Sequence, residues 1–408
     1  MTDDSYEVDE GDFQRLFDEY IEKGLFQKIT PVQSGRPTAV MLGGQLAAGK
    51  TTALRHIAER YGGDIARVSP DDFRKLHPHR HRIMRERPHD YVALTSPAMY
   101  RWNEMTQEYA HEHGYNLVIE GTLRSPEWVV HDIGKLARRP ESGRHEGFRA
   151  EVVGLAVSEY RSRLDMVGRY VGRPPGKGRW ADAAGHDEIY RGLPGTLDAL
   201  EADPNVWKVI VTDRDGTVHY ENTRGPDGRW EHEPRAGAAL KEARGEGEVP
   251  FGREEAREWL ESYWEHSEAL MDRGELNPTT APTMLALHSD ADRVAQVAYA
   301  DAPEALTRHG HRQALQKAVF QAGGRGVDNS ELPHTPEEFF QADRKERGAF
   351  LKAMGAAPAP AEQGRSDPAA QEAVRRAQQG MGSPMQKGPA PGRGRPRGRQ
   401  DPGPGVER

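Results

Sequence analysis

Gly44-Gln45-Leu46-Ala47-Ala48-Gly49-Lys50-Thr51 is the stretch that decides the fold. It fits the pattern GxxxxGK[ST] residue for residue, and Thr52 follows it. Holding the β- and γ-phosphates of ATP requires backbone N–H groups turned inward with no bulky side chain in the way, which the glycines permit. A helix opening directly after the loop adds its positive N-terminal end. Lys50 is then placed to reach the phosphates, and the Thr51 hydroxyl to ligate Mg²⁺. An ordinary Gly/Ala turn before a helix would share much of this pattern, so the setting matters. Here the motif follows the apolar run 39–42 and opens a helix-like stretch, 51–61, which is the strand–loop–helix context the chemistry needs.

Outward from the motif, apolar strand-like runs recur at 65–68, 117–119, 152–157 and 206–211. Helix-like stretches at 97–113, 126–138, 158–171 and 189–202 separate them. Short strands alternating with helices imply parallel βαβ units, with helices on both faces of one sheet. A hairpin signal at Asp213-Arg214-Asp215-Gly216 closes the pattern, and 138–148 reads as a surface loop. Five regions follow: a helical lead-in over 1–35, the α/β domain over 36–225, a linker over 226–250, a helical region over 251–353 and a tail over 354–408. In the lead-in, Phe13, Leu16, Phe17, Tyr20 and Ile21 follow the spacing of one apolar helix face. In the helical region, Trp259, Tyr263, Leu270 and Met271 suggest one amphipathic helix and 294–300 part of another.

Composition narrows the function classes. The 408 residues are 36% apolar and carry a net charge of −8, with no cysteine. Thiol catalysis, thiolate metal sites and disulfides are therefore excluded. The longest charge-free runs, 13 and 14 residues at 37–49 and 276–289, are short of the ~18 a membrane span needs. Six acids and no base in the first twelve residues oppose a secretory leader, so a cytoplasmic protein is expected. The acidic balance argues against a general nucleic-acid binder. Residues 355–408 differ, with nine Lys/Arg, five Asp/Glu, nine Pro and ten Gly, and with Val374 and Val406 as the sole Val, Ile, Leu or aromatic residues. Such a segment reads as disordered, and its basic end at 392–399 could touch RNA only weakly.

The kind of phosphate-loop protein is set by what lies beside the motif. No NKxD-type base reader of a GTPase is present, and the run 116–119 ends in Glu120 rather than the Asp of a motor ATPase. That points to a kinase acting on something bound next to the loop. The second strand run leads into Ser69-Pro70-Asp71-Asp72-Phe73-Arg74, at a strand C-terminal end, where open α/β folds bind ligands. A carboxylate there can take the proton of an attacking hydroxyl, or it can cap the next helix. The residues alone leave both roles open for Asp71 and Asp72.

Several stretches together resemble the zeta toxin family of P-loop kinases, which phosphorylate UDP-N-acetylglucosamine. They are LGGQLAAGKTT from Leu42, DDFRKLHP from Asp71, GYNLVIEGTLR from Gly114, SEYRSRLDMVGRY from Ser158 and GRWADAAGHD from Gly178. The resemblance covers roughly 13–220 in unbroken motif order and leaves 230–408 unexplained. It implies a P-loop kinase-like α/β fold of three layers with a mostly parallel central sheet, here followed by a helical C-terminal region. It further implies Asp71 as catalytic base, Lys50 on the phosphates, Glu120, Thr122 and Arg124 at the sugar nucleotide, and Arg169 and Arg179 on the γ-phosphate. Arginines aimed at a transferring phosphoryl group have independent physical sense, because negative charge spreads over its equatorial oxygens. His77 and His186 fall in matching motifs and read as structural. ATP and Mg²⁺ are the implied cofactors, a UDP-sugar the substrate and an antitoxin protein the partner. Two other readings compete: a phosphotransferase acting on another small alcohol, such as an antibiotic or a nucleoside, and a nucleotide-gated binding protein whose kinase fold is vestigial.

Overall fold

A computed structural model describes residues 6–87, 90–175 and 178–355. Its centre is a six-stranded sheet in the order β2-β3-β1-β4-β5-β6. The strands are β1 (Thr38–Gly43), β2 (Ala66–Val68), β3 (Leu117–Gly121), β4 (Arg149–Leu155), β5 (Val206–Thr212) and β6 (Val218–Thr223). Pairs among β1 to β5 are parallel, and β6 returns antiparallel to β5 across the expected Asp213–Gly216 hairpin. Every residue of β1 is buried, as a central parallel strand covered on both faces should be.

The helices sort onto the two faces. The lead-in runs through α1 (Glu10–Leu16), a π-helical turn (Phe17–Glu22) and the short α2 (Lys23–Leu25). Then come α3 (Lys50–Arg60), α4 (Pro70–Phe73), α5 (Arg80–Glu86), α6 (Tyr91–His113) and α7 (Pro126–Ala137). After β4 lie α8 (Glu159–Val171) and α9 (Ala183–Ala202). On one face, Ala53, Leu54 and Ile57 of α3 pack with Val40, Leu42, Val153 and Leu155. On the other, Ile133 and Leu136 of α7 and Leu193, Leu197 and Leu200 of α9 pack with Ala39, Met41 and Val152. This is the expected three-layer α/β architecture.

Beyond β6 follow α10 (Ala236–Arg244), α11 (Arg253–Asp272), α12 (Ala281–Ala298), α13 (Pro303–Gly324), α14 (Pro336–Gln341) and α15 (Arg344–Ala353). The helical pattern expected over 251–353 is present, with Trp259, Tyr263, Leu270 and Met271 buried on α11.

Four readings need correction. The stretch 226–250, expected as a linker, holds α10, whose Ala236, Ala239 and Leu240 join the core formed with α9. Alanine at 236 and 239 allows close approach, a signal hidden by the polar and Gly-rich flanks. Tyr20 is 52% exposed, whereas Leu16, Phe17 and Ile21 are buried. The π-turn over Phe17–Glu22 lengthens the i→i+4 period and swings Tyr20 off the face that 3.6-residue spacing assigns to it. Pro97 lies inside α6 instead of opening it, and α9 starts at Ala183, a turn and a half before 189. The tail expected over 354–408 lies, from residue 356 on, outside the described residues.

Candidate functional site

Sheet register builds the site before any side chain is considered. Leu42 pairs with Glu120 and Gly43 with Gly121, while Val68 pairs with Ile119. The loops leaving β1, β2 and β3 therefore emerge side by side at the strands' C-terminal ends.

From β1 the chain enters the phosphate loop. Ala47 (φ 57°) and Gly49 (φ 87°) both take left-handed backbone, and Gly49 occupies the N-cap position of α3 with no side chain capping it. This alternation turns backbone N–H groups into the concavity at a helix N-terminus, the geometry that suits an anion. Lys50 Nζ donates to the carbonyls of Gly44 and Gln45, each at 3.0 Å. Burial lowers its pKa, Glu120 and Asp71 oppose that, and Arg169 adds to it. Lys50, Glu120, Arg169 and Asp71 thus share one electrostatic neighbourhood. The Thr51 hydroxyl group belongs to an exposed residue in the first turn of α3, and Thr52 is half-buried. One hydroxyl beside a phosphate cradle fits Mg²⁺, which prefers phosphate oxygens and water to an all-protein cage. Among the described residues no cluster of three or more His, Asp or Glu is placed to hold a metal by itself.

From β2, Ser69 occupies the N-cap position and Pro70 the first turn of α4, so neither aspartate caps the helix. Asp71 is 64% exposed; it accepts from Arg74 Nε at 2.9 Å and from Arg179 Nη1 at 3.4 Å. Asp72 turns outward to Lys75. Arg74 is buried and donates its Nη1 to Val92 O, Thr95 Oγ1 and Ser96 Oγ of α6 at 2.9, 2.9 and 3.1 Å. It anchors the Asp71 carboxylate to the body of the fold, a role the sequence reading missed although the i, i+3 spacing of Asp71 and Arg74 signals it.

From β3, Glu120 accepts from Ser69 Oγ at 3.1 Å. Thr122 is half-buried, Leu123 takes left-handed backbone (φ 49°), and Arg124 reaches Glu188 of α9 at 2.7 and 3.0 Å. Arg169 is exposed in the last turn of α8. The structure thus gathers Lys50, Asp71, Glu120, Arg169 and Arg179, and it sets Arg124 in an ion pair at the edge of α9.

Further residues escaped the sequence reading. Gln45 turns inward, fully buried, donating to Val157 O at 2.8 Å and Ser162 Oγ at 3.2 Å and accepting from Arg244 of α10 at 3.0 Å. Its side chain cannot meet a nucleotide; only its backbone lines the loop. Arg244 also donates to Tyr190 O at 2.8 Å and lies 4.3 Å over the Tyr190 ring, and burial pushes its pKa down to about 10. Arg214, on the β5–β6 turn, bonds Ala47 O at 3.3 Å and Asp165 at 2.7 Å, pressing on the loop from outside. Ser162, His186 and Asp187 form a hydroxyl–imidazole–carboxylate chain at 2.7 and 2.8 Å. Ser162 and His186 are fully buried, and burial lowers the His186 pKa, so no substrate reaches this chain. His77 is likewise buried, with its pKa pushed down to about 4 by burial first and by His79.

Residues 23–224 match the family described as zeta toxin. Those residues form a zeta toxin domain. The zeta toxin domain ends just past β6, so α10 to α15 lie outside it. Toxin zeta of Streptococcus pyogenes is 27% identical over 217 residues, 52% of this chain and 72% of that protein. Toxin PezT of Streptococcus pneumoniae serotype 4 is 28% identical over 192 residues, covering 46% and 73% of the two chains. Among solved structures, the fold is similar to a chain described in the characterisation of the PezAT chromosomal toxin-antitoxin system of Streptococcus pneumoniae. That likeness has a TM-score of 0.53 and 22% identity, covering 64% of this chain and 98% of that one. The zeta toxin domain is thus kinase-like in fold and motif, and among the described residues no helix is long and apolar enough to cross a membrane.

Proposed function

We propose that this zeta toxin domain is an ATP-dependent kinase that phosphorylates a sugar hydroxyl of UDP-N-acetylglucosamine or a related UDP-sugar. The observation that carries the reading is the convergence of Asp71, Lys50 and Arg179 where β1 and β2 end: Arg179 reaches Asp71 at 3.4 Å, and Asp71 acts on the Lys50 ammonium. Asp71 takes the proton of the attacking hydroxyl as its oxygen bonds to the γ-phosphorus, and the bond from that phosphorus to the bridging oxygen breaks, releasing ADP. Lys50 and the backbone of Gly44 to Thr52 hold the phosphates. Arg169 and Arg179 meet the charge that spreads over the transferring group, a role worth ~10³–10⁵ in rate for arginines so placed. Mg²⁺, held in part by Thr51, supplies charge neutralisation on the phosphates when bound. Glu120, Thr122 and Arg124, which leave β3 between the strand of the cradle and the strand of Asp71, hold the sugar nucleotide.

The test incubates the chain with ATP, Mg²⁺ and a panel of UDP-sugars and follows the products by mass spectrometry. One added phosphate on a UDP-amino sugar supports the reading. Phosphate added to a nucleoside or an antibiotic instead moves the acceptor, and no phosphate on any alcohol removes the kinase assignment. Because the PezAT neighbour is described as part of a toxin-antitoxin system, we also propose a toxin role in the cytoplasm with an antitoxin protein as partner. Growth arrest on expression of this chain, relieved by a co-expressed neighbouring small protein, is the expected result.

A further inference from the structure

Helices α11 and α12 lie outside the zeta toxin domain, yet they grip α8 along its whole length. At its start, Trp259 of α11 donates Nε1 to Tyr160 O at 3.1 Å, and Arg161 pairs with Glu255. In its middle, buried Arg163 pairs with Asp290 of α12. Its end is held as well. A Cβ added to Gly168 would lie 2.6 Å from Nε2 of His266, so glycine is what lets α11 approach there. Arg273, at the C-cap of α11, donates Nη1 to Arg173 O at 2.8 Å and Nη2 to Val171 O. These carbonyls belong to the terminus of α8, where helices leave acceptors without intrahelical partners. Tyr170 faces the Glu275 carboxylate on one side and meets the Trp180 ring edge-on at 4.9 Å on the other.

The two residues flanking these contacts are the phosphate-facing arginines. Arg169 sits beside Tyr170 in the last turn of α8, and Arg179 beside Trp180, which Tyr170 holds. A last helical turn frays unless tied, whereas a group acting on a transferring phosphoryl must stay within a fraction of an ångström of its working position.

We propose that Arg273 is a positioning residue for phosphoryl transfer: by tying the end of α8 to α11, it presents Arg169 and Arg179 in one geometry. This rests on the reading that those arginines meet the γ-phosphate. It gives the helices beyond the zeta toxin domain a task in the reaction, without any of them touching substrate.

The experiment uses the full chain and three variants. Arg273→Ala removes both donors. Arg273→Lys keeps the charge but replaces the two spaced Nη donors of the planar guanidinium with a single Nζ on a flexible stem. Arg257→Ala removes an equal charge from the same helix, where the side chain bonds Ala298 O and Asp301 instead. Turnover, KM for ATP, and amide exchange at 168–173 and at 44–52 are measured on each. In Arg273→Ala, kcat falls ten- to a hundred-fold, as about 1 Å of misplacement can cost, while KM for ATP stays within about two-fold. Exchange at 168–173 quickens and exchange at 44–52 does not; Arg273→Lys lies between, and Arg257→Ala matches wild type. Unchanged kcat in Arg273→Ala overturns the positioning role and leaves the kinase reading standing. Faster exchange at 44–52 as well as 168–173 also overturns it, because Arg273 would then be a general fold support. A wild-type chain that transfers no phosphate to any alcohol removes the kinase reading and this role with it.

Discussion

In the zeta toxin domain, the polar groups proposed for chemistry stand at strand ends and look outward, with Asp71 64% and Arg179 60% exposed. In α11 to α13 the polar groups turn inward. Tyr263, His288, His309, Gln313 and Gln316 are all buried, and the Tyr263 hydroxyl meets His288 Nδ1 and Gln313 Oε1 at 3.3 Å each. Backbone strain divides the same way. Among the described residues, Ala47 and Leu123 are the non-glycine residues with positive φ, and both sit in loops of the candidate site. A site spends strain and exposure to meet a ligand, while a supporting bundle spends buried hydrogen bonds to fix one arrangement of its helices. The outward-facing site residues should therefore respond to mutation through turnover, and the buried polar groups of the helices, Arg273 at the end of α11 apart, through stability.

Lys50→Ala is the strongest test of that division. Its side chain bonds two carbonyls of the loop and nothing in the apolar core, so phosphate transfer should be lost, by about 10³-fold or more, while the melting temperature stays close to wild type. Wild-type turnover in this variant would remove the phosphate-loop assignment.

The adjacent aspartates come next. Asp71→Asn keeps the shape and one of the two acceptor oxygens, enough for the bond to Arg74, but cannot accept a proton at neutral pH, so turnover should drop by about 10²–10⁴-fold with ATP affinity little changed. Asp72 pairs with Lys75 at the surface, so Asp72→Asn should cost well under ~1 kcal/mol and leave turnover intact. Equal loss in both variants would show the pair acting together on substrate or metal, and the one-base mechanism would fall.

How far the sequence carried these conclusions depends on distance along the chain. The strand–loop–helix around Lys50, the hairpin after Thr212 and the DDFR turn are local patterns, because a phosphate or a tight turn dictates neighbouring residues. Arg179 on Asp71 spans 108 positions and was reachable only through resemblance to a family. Arg244 on Gln45 spans 199 positions, and nothing in the Gly-rich flanks of α10 marks that arginine as buried. The same holds for Arg273, which looks like an ordinary solvated charge until α11 is seen against α8. Contacts of this kind are set by packing, and packing is invisible to periodicity.

Acid should separate the regions further. Burial first, with Lys317 and His309 beside it, pushes the His288 pKa down to about 3; burial and Arg312 push His309 to about 4. An unfolded chain takes up these protons near pH 6.5, so between there and pH 4 it binds more protons than the folded one. Stability then rises with pH across that window, by up to about 1.4 kcal/mol per pH unit for each histidine. Asp290, raised to about 6 by burial against the pull of Arg163, works with the opposite sign below pH 6, because its folded form keeps a proton the unfolded one has lost. Burial also raises Asp292 and lowers His266, so three histidines stand against two aspartates and the helices should weaken on acidification. His288→Gln, which keeps an acceptor for Tyr263, should flatten the pH dependence of denaturant melts between pH 6.5 and 4. His77→Gln measures the corresponding share of the sheet domain, where His77 lies at about 4. An unaltered slope in both variants would mean that these imidazoles are not held neutral by burial.

The smallest expected effect lies in the phosphate loop itself. Ala47 holds φ 57°, a conformation that costs an L-residue roughly 1–2 kcal/mol and glycine almost nothing. Ala47→Gly releases that strain, but it adds about 0.5–1 kcal/mol of unfolded-state entropy and gives up one buried methyl, since Ala47 is only 7% exposed. The terms nearly cancel, leaving a change in stability of under ~1 kcal/mol. The backbone donors keep their places, and the Ala47 carbonyl still receives Arg214, so KM for ATP should not move. A denaturant melt compares the variant with wild type. A clear loss of stability would show that the methyl packs better than the backbone is strained, and the claim that this domain stores its strain at the site would then rest on Leu123 alone.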